Sequence, residues 1–135
     1  MITLEDLDKA RMLRKTINEC KSTLESIRSA AGVKSPVLDG LPHNSEPSDH
    51  VGNMAAIITD LENSIQEYEK EFRIAWAACA PFVMSLRDPI VRTCFYLRFH
   101  DALSHKEIAA CLGRFVTEAS VRGRIYREIG KQKRE

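Results

Sequence analysis

Apolar residues recur with a helical period in two long stretches of this chain, from about Thr3 to Ala31 and from about Asp49 to Ala80. Within each stretch, neighbouring apolar positions are separated by alternating steps of three and four residues. Such spacing, sustained over three heptads, predicts two long helices that each carry one apolar seam. The seam residues are Ala10, Leu13, Ile17, Cys20, Leu24, Ile27 and Ala31 in the first stretch, and Met54, Ile58, Leu61, Ile65, Tyr68, Phe72, Ala75 and Cys79 in the second.

The segment between the two seams, 32–48, is predicted to be a connecting loop, because three prolines fall within twelve of its residues. Thr3 is placed to cap the first helix, and Ser48 or Asp49 the second. Two seams of similar length joined by such a loop predict an antiparallel helical hairpin, a coiled coil, over residues 1–80.

A lone apolar seam is not stable in water, because most of the stability of a helix comes from packing its apolar face. The seams of the hairpin either cover each other within one chain or are shared between chains. In the second case the hairpin is an oligomerisation element and the protein is a homo-oligomer. The spacing of the seams leaves both arrangements open.

After the hairpin, the apolar pattern predicts shorter helices. The run from Ala77 to Met84 is apolar on all sides, which indicates a buried helix. Asp88 followed by Pro89 is a strong start signal for another helix, reaching to about Phe99. Its predicted inward residues are Ile90, Val91, Cys94, Phe95, Leu97 and Phe99.

Two further helices are predicted near the end of the chain. Ser104 and Glu107 form a capping box that opens a short helix, with Ile108, Ala109 and Leu112 inward, and Gly113 ends it. Thr117 caps the last helix, 118–130, whose inward residues are Val121, Ile125 and Ile129. The prediction is therefore an all-α fold, with a helix-turn-helix domain over residues 81–135.

The net charge of +1 conceals two halves of opposite sign. Residues 1–85 contain nine Lys or Arg and thirteen Asp or Glu, a net charge of −4, whereas residues 86–135 contain eleven and six, a net charge of +5. This asymmetry indicates that one end of the chain meets a polyanion. The uncharged stretches are too short for a membrane span, and no secretory signal is present, so a cytoplasmic protein without a membrane partner is expected.

The outward face of the last helix is predicted to be the DNA-binding surface. Arginine side chains can contact guanine edges in the major groove, and hydroxyl and cationic groups can hold phosphates. Thr117 stands at a helix N-terminus, where backbone N–H groups attract phosphate. The residues predicted to contact duplex DNA are Arg114, Thr117, Glu118, Ser120, Arg122, Arg124, Arg127 and Lys131.

Neither catalysis nor a cofactor is expected. The sequence contains no Gly-rich phosphate loop, no H-E-x-x-H and no nucleophile elbow. Cys94, His100, His105 and Cys111 suggest a zinc site, but their spacings fit none of the usual paired-ligand loops. We therefore predict that the protein is not an enzyme and holds no metal.

The segment from Leu86 to Ile129 resembles region four of bacterial sigma factors. The resemblance lies in Leu97-Arg98-Phe99 and in the run from Ser104 to Gly113, S-H-K-E-I-A-A-C-L-G. It implies a helix-turn-helix whose second helix recognises promoter DNA. The turn after Gly113 is two residues longer than is usual in that family, so only Arg122 and Arg124 can be matched to its promoter-reading residues.

The preceding part of the chain is similar to small sigma-like proteins of phages and prophages, which carry a helical hairpin before such a module. The shared features are Leu41-Pro42-His43, Ser48-Asp49, Gly52-Asn53 and the run 58–62. The resemblance implies a phage or prophage transcription regulator in the bacterial cytoplasm, with RNA polymerase as a partner. Two alternatives stay open, a phage DNA-packaging protein like a small terminase subunit and a helical protein-interaction module that does not bind DNA.

Overall fold

Five α-helices and one π-helical turn make up a computed structural model of the chain, which describes residues 2–34, 46–113 and 116–134. Within those ranges the fold is all-α and contains no strand, as predicted. None of the described helices is both long and apolar enough to cross a membrane. In chain order the elements are α1 (Leu4–Lys34), α2 (Glu46–Ser85), α3 (Pro89–Phe95), the π turn (Tyr96–His100), α4 (His105–Leu112) and α5 (Glu118–Arg134).

The chain divides into two compact units, and the division runs through both long helices. One unit comprises 1–15 and 70–135, and the other comprises 16–69. The sequence pattern predicts a different division, into 1–80 and 81–135. The difference arises because the first turns of α1 and the last turns of α2 pack with the short helices that follow them.

The start of α1 is fixed by local hydrogen bonds. Thr3 Oγ1 accepts a hydrogen bond from the Asp6 backbone N–H at 3.2 Å, and the Asp6 carboxylate accepts one from the Thr3 N–H at 3.0 Å. The bond from the Thr3 N–H to the carboxylate lowers the pKa of Asp6, because it favours the charged form, and the Thr3 side chain adds to this effect. The predicted capping role of Thr3 is confirmed.

Both predicted boundaries of the loop, 32–48, are wrong. Helix α1 continues to Lys34, and α2 already begins at Glu46, so neither Ser48 nor Asp49 caps it. Pro47 is the second residue of α2, where a helix tolerates proline because the first N–H groups have no partner within the helix. The rest of the predicted loop, 35–45, lies outside the described residues.

The apolar run at the end of α2 is helical but is not buried on all sides. The helix passes through Pro81 and ends at Ser85. Only Cys79 and Val83 of the run from Ala77 to Met84 are buried, and Met84 is 73% exposed. The prediction of an all-round buried helix was wrong, because a single face of α2 meets the core in this region.

In the unit that comprises 16–69, the described parts of α1 and α2 form the predicted antiparallel hairpin. Ile17, Leu24 and Ile65 of the two seams are buried. Two ion pairs join the helices: Lys21 Nζ lies 2.9 Å from Glu69 Oε1, and Arg28 Nη2 lies 3.1 Å from Glu62 Oε1. These pairs are exposed and each contributes about 0–1 kcal/mol. The buried seam residues therefore supply most of the packing energy of the hairpin.

The other unit is built around one apolar cluster to which every helix contributes. The side chain of Leu7, in the second turn of α1, is fully buried there. Gln132, near the end of α5, is bonded through its side-chain amide to both the N–H and the carbonyl of Ile2. The start of α1 is thus part of this unit. The buried residues of the cluster are Leu7, Cys79, Val83, Val91, Cys94, Phe95, Phe99, Ile108, Val121, Ile125 and Ile129.

Helix α3 begins as predicted, but it does not continue to Phe99 as an α-helix. Asp88 Oδ1 accepts a hydrogen bond from the Ile90 N–H at 2.8 Å, which confirms the cap, although Ile90 itself is 44% exposed rather than buried. From Tyr96 to His100 the chain winds as a π turn, and the Asp101 N–H donates to the Tyr96 carbonyl at 3.2 Å. A single residue, Ala102, has a positive φ, 60°, before α4 begins.

The π turn is held against α1 and α2 by aromatic contacts around His100. The His100 ring stacks on Tyr96, with 4.3 Å between the ring centroids, and meets Trp76 edge-on at 5.0 Å. Arg14 of α1 donates from Nε to the His100 carbonyl at 3.2 Å, and its guanidinium lies 4.1 Å from the centre of the Phe72 ring. These contacts connect three elements of the unit.

We expect Leu7→Ala to destabilise the unit formed by 1–15 and 70–135 as strongly as a substitution inside α5. Loss of this buried side chain should cost about 2–5 kcal/mol of unfolding free energy, as should Ile125→Ala. Urea denaturation followed by circular dichroism measures both. Met12→Ala, at a half-exposed position of the same helix, is the matched control and should cost much less. An equally small effect of Leu7→Ala would contradict the placement of α1 in this core.

Candidate nucleic-acid interface

Helix α4 has the capped frame that the sequence predicts. Ser104 Oγ accepts a hydrogen bond from the Glu107 N–H at 3.1 Å, and Glu107 Oε1 accepts one from the Ser104 N–H at 3.0 Å. The bond from the Ser104 N–H lowers the pKa of Glu107, because it stabilises the ionised carboxylate, and the Ser104 side chain adds to this effect. Gly113 ends the helix with a φ of 103°, and its N–H donates to the Ala109 carbonyl at 3.2 Å. The capping box and the terminal glycine are both confirmed.

Helix α5 is anchored by its predicted cap and its predicted inner face. Thr117 Oγ1 accepts a hydrogen bond from the Ser120 N–H at 3.1 Å. Val121, Ile125 and Ile129 are all buried in the shared core, as predicted. Their burial fixes which way the rest of α5 faces, so the remaining positions form three exposed or half-exposed strips along the helix. Arg114, the first predicted contact residue, lies outside the described residues.

One of these strips, which we name the α4 flank, is formed by Arg122 and Tyr126. Both side chains are exposed. Arg122 Nη2 lies 3.1 Å from Glu118 Oε1, and the Tyr126 ring centroid lies 6.4 Å from that of His105, the first residue of α4. Glu118 therefore positions the Arg122 guanidinium rather than facing solvent as an isolated charge.

The opposite strip, which we name the α3 flank, is formed by Arg124 and Lys131. Arg124 is half-exposed and donates from Nε to Ser120 Oγ at 3.3 Å, and Lys131 Nζ lies 3.3 Å from Glu128 Oε1. A polar cavity of about 320 Å³ opens here, and Asp88 and Val91 of the α3 segment line it together with Arg124, Arg127, Glu128 and Lys131. Arg122 and Arg124 thus lie on opposite sides of α5, although the sequence pattern places them on one face.

Between the two flanks lies the outer face of α5, where most side chains are small. Its residues are Ala119, Ser120, Gly123, Arg127 and Gly130. A Cβ atom added at Gly130 would have no neighbouring atom within 4 Å, and one added at Gly123 would contact Arg127 Nη2 at 3.9 Å. Internal packing therefore does not require these glycines, each of which costs about 1 kcal/mol relative to alanine in a helix.

Among the described side chains of the outer face, Arg127 alone is long and cationic. Its Nε donates to the carbonyl of Gly123 at 3.1 Å, so the side chain runs back along the helix over the glycine. The guanidinium consequently lies beside Gly123, and Arg127 also lines the polar cavity of the α3 flank.

The candidate interface extends to two cationic residues that the sequence did not predict, Arg98 of the π turn and Arg11 of α1. Arg98 donates from Nη1 to the Leu103 carbonyl at 3.0 Å, and Arg11 Nε is held 3.0 Å from Asp8 Oδ1. Burial lowers the pKa of Arg98, and the nearby charge of Arg11 adds to this effect. Leu97-Arg98-Phe99 marks Arg98 in the sequence, whereas Arg11 has no local signal.

The cysteines and histidines whose spacings were compared with zinc sites lie in separate environments. Cys94 is buried, where desolvation raises the pKa of its thiol, and Cys111 is exposed. His100 belongs to the aromatic contacts around the π turn. In the part of the chain that the structure describes, no three histidine, cysteine or acidic side chains are grouped so as to hold a metal ion.

No protein-family model, curated protein or solved structure matches this chain. What the chain binds must therefore be inferred from the chemistry of its own surface.

We expect Gly123→Ala to stabilise the protein by about 0.5–1 kcal/mol, because the new methyl group has room and alanine favours the helix. Thermal and urea denaturation measure this change. Gly113→Ala is the control of opposite sign, since the positive φ at that position strains any other residue by about 1–3 kcal/mol. A loss of stability in Gly123→Ala would show that the glycine is needed for folding.

The stability of the protein should also depend on pH through His105. Burial, followed by the charges of Arg98 and Arg122, lowers the pKa of this histidine in the folded state. The unfolded chain then binds the proton more readily, so stability is full above the unfolded pKa and falls as pH decreases through about 6.5. Urea denaturation at pH 7.5 and 5.5 should show a smaller loss in His105→Gln than in the wild type. Equal losses in both proteins would contradict this expectation.

Proposed function

We propose that this chain is a sequence-specific DNA-binding transcription regulator of the phage or prophage type, which reads duplex DNA by placing α5 in the major groove. The observation that carries this proposal is the surface of α5, where a strip of small residues runs between two flanks that each carry cationic side chains. The core residues Val121, Ile125 and Ile129 hold the opposite side of the helix and leave this surface free.

The dimensions of α5 suit the major groove. An α-helix with its side chains is about 10–12 Å wide, and the groove is about 12 Å wide. Ala119, Gly123 and Gly130 make the outer face thinner than an average helix face. The helix backbone can then approach the base edges closely, while the flanks meet the phosphates on the two walls of the groove.

We propose that the predicted contact residues bind different parts of the DNA, according to their position on α5. Arg127 and Ser120, on the outer face, are the side chains we propose for contact with base edges. Arg122 on one flank, and Arg124 and Lys131 on the other, would hold phosphates. Thr117 and Glu118 act at the start of α5, where Thr117 caps the helix and Glu118 positions Arg122.

The resemblance to region four of sigma factors supports the same function. It rests on the run from Ser104 to Gly113, which forms the capped helix in front of α5. In that family the helix after this frame recognises promoter DNA, so the resemblance and the surface of α5 both favour α5 as the recognition helix. They differ in detail, because the resemblance matches Arg122 and Arg124 to promoter-reading residues, whereas we propose phosphate contacts for both. It also makes RNA polymerase a proposed partner.

We propose the hairpin, 16–69, as the oligomerisation element. Several of its seam residues, among them Ile58, Leu61 and Tyr68, are only half-buried. An open groove of about 690 Å³ runs between its helices over Leu24 and Ile65. Light scattering distinguishes the assemblies: a dimer supports a regulator with a paired half-site, whereas a ring of eight or more subunits favours DNA packaging.

The test of DNA recognition begins with selection of bound duplexes from a random pool at physiological salt. Fluorescence anisotropy then compares the selected duplex with a random one. We expect Arg127→Ala to reduce the preference for the selected duplex by about 1–3 kcal/mol, because a base contact is lost. Arg122→Ala should weaken binding to both duplexes by the same factor, because phosphate contacts do not depend on sequence.

Lys70→Ala, which removes an exposed lysine of α2, is the control for the change in net charge and should have little effect. A wild-type protein that binds the selected and random duplexes equally would contradict sequence-specific recognition. Wild-type behaviour of Arg127→Ala would contradict the proposed role of the outer face.

A further inference from the structure

We propose that Arg11 of α1 completes a binding site for one backbone phosphate of the DNA duplex, together with Arg98, His105 and Arg122. This site would lie beside the groove that α5 occupies, and the inference therefore rests on the proposed function. It assigns a DNA contact to the N-terminal helix, which the sequence pattern places in the hairpin alone.

The first turns of α1 are fixed relative to α5. Leu7 is buried in the same core as Val121 and Ile125, and the Gln132 side chain is bonded to the backbone of Ile2. Arg11 lies one helical turn after Leu7, and Asp8 holds its Nε at 3.0 Å. The Arg11 guanidinium is thus positioned by the same packing that positions α5.

A short series of contacts leads from the π turn to α5. Arg98 Nη1 is bonded to the carbonyl of Leu103, two residues before His105. The His105 ring faces that of Tyr126, and Arg122 precedes Tyr126 by one helical turn. Arg98, His105 and Arg122 therefore line one side of the α4–α5 pair, the side that contains the α4 flank.

The charges of this cluster act on one another. Burial lowers the pKa of Arg98, and the charges of Arg11 and Arg122 add to this effect. Burial also lowers the pKa of His105, followed by the charges of Arg98 and Arg122. Arg14, three residues after Arg11, donates from Nε to the His100 carbonyl at 3.2 Å, so this part of α1 lies against the π turn that carries Arg98. Asp8 pairs with Arg11, and Glu118 pairs with Arg122. The fold thus maintains a repulsive arrangement that an anion would relieve.

A phosphodiester is the anion that fits. Its two free oxygens accept charge-assisted hydrogen bonds, and guanidinium groups match them in geometry. The Arg11 side chain is only 21% exposed, so it can add charge and a bond at the edge of the cluster while Arg122 makes the outer contact. A phosphate bound here would be contacted by α1, the π turn, α4 and α5 together.

The test compares Arg11→Gln with Asp8→Asn, which changes the charge in the opposite direction. Both are measured by anisotropy with the selected and the random duplex at several KCl concentrations. Arg11→Gln should weaken binding to both duplexes equally and reduce the slope of log K against log[salt] by about 1. Asp8→Asn should strengthen binding, because it removes a negative charge next to the phosphate. Lys15→Gln, an exposed lysine of the same helix, controls for net charge and should leave the slope nearly unchanged.

Each outcome separates this inference from the proposed function. If the wild type does not bind duplex DNA, the proposed function itself fails. If the wild type binds and Arg11→Gln and Asp8→Asn behave like Lys15→Gln, only the phosphate site is overturned. Weaker binding in both Arg11→Gln and Asp8→Asn would show that their ion pair is structural, and would overturn the site as well.

Discussion

The structure depends on one apolar core that joins the two ends of the chain. Leu7 from α1 and Val83 from α2 are buried with Val121, Ile125 and Ile129 from α5. Because the inner face of α5 is buried in this core, the orientation of the remaining surface of α5 is fixed. Packing of the N-terminal turns thus determines what the C-terminal helix presents, and this is why the compact unit contains both 1–15 and 70–135.

The glycines on the outer face of α5 lower the stability of the helix but leave room for a partner to come close. Gly123 and Gly130 weaken the helix without being needed for internal packing. The presence of these glycines is explained if the outer face must come close to another molecule, since a larger side chain would keep the helix backbone away from it. Under the proposed function that molecule is duplex DNA, because the flanks on either side of the outer face are cationic and the width of the helix suits the major groove.

Local signals in the sequence predicted much of this fold. The caps at Thr3, Ser104 and Thr117 and the inner face of α5 depend on residues a few positions apart, so spacing and side-chain chemistry were enough. Not every missed feature depended on tertiary packing. The predicted loop was too long because α1 and α2 continue into it, and the π turn replaced the last turn of α3. The opposite flanks of Arg122 and Arg124 follow from the helical period alone, because residues two positions apart do not share a face. Arg11 could not be assigned because its position depends on contacts with distant residues.

The most direct test of the central claim, that α5 enters a DNA groove, is NMR mapping of the backbone amides while a selected duplex is added. The account predicts that the largest shift changes fall on 117–131, with smaller ones near His105 and Arg11. The amides of 20–30 and 55–65 in the hairpin should change little. Shift changes concentrated in the hairpin, or no change on addition of duplex, would contradict the account.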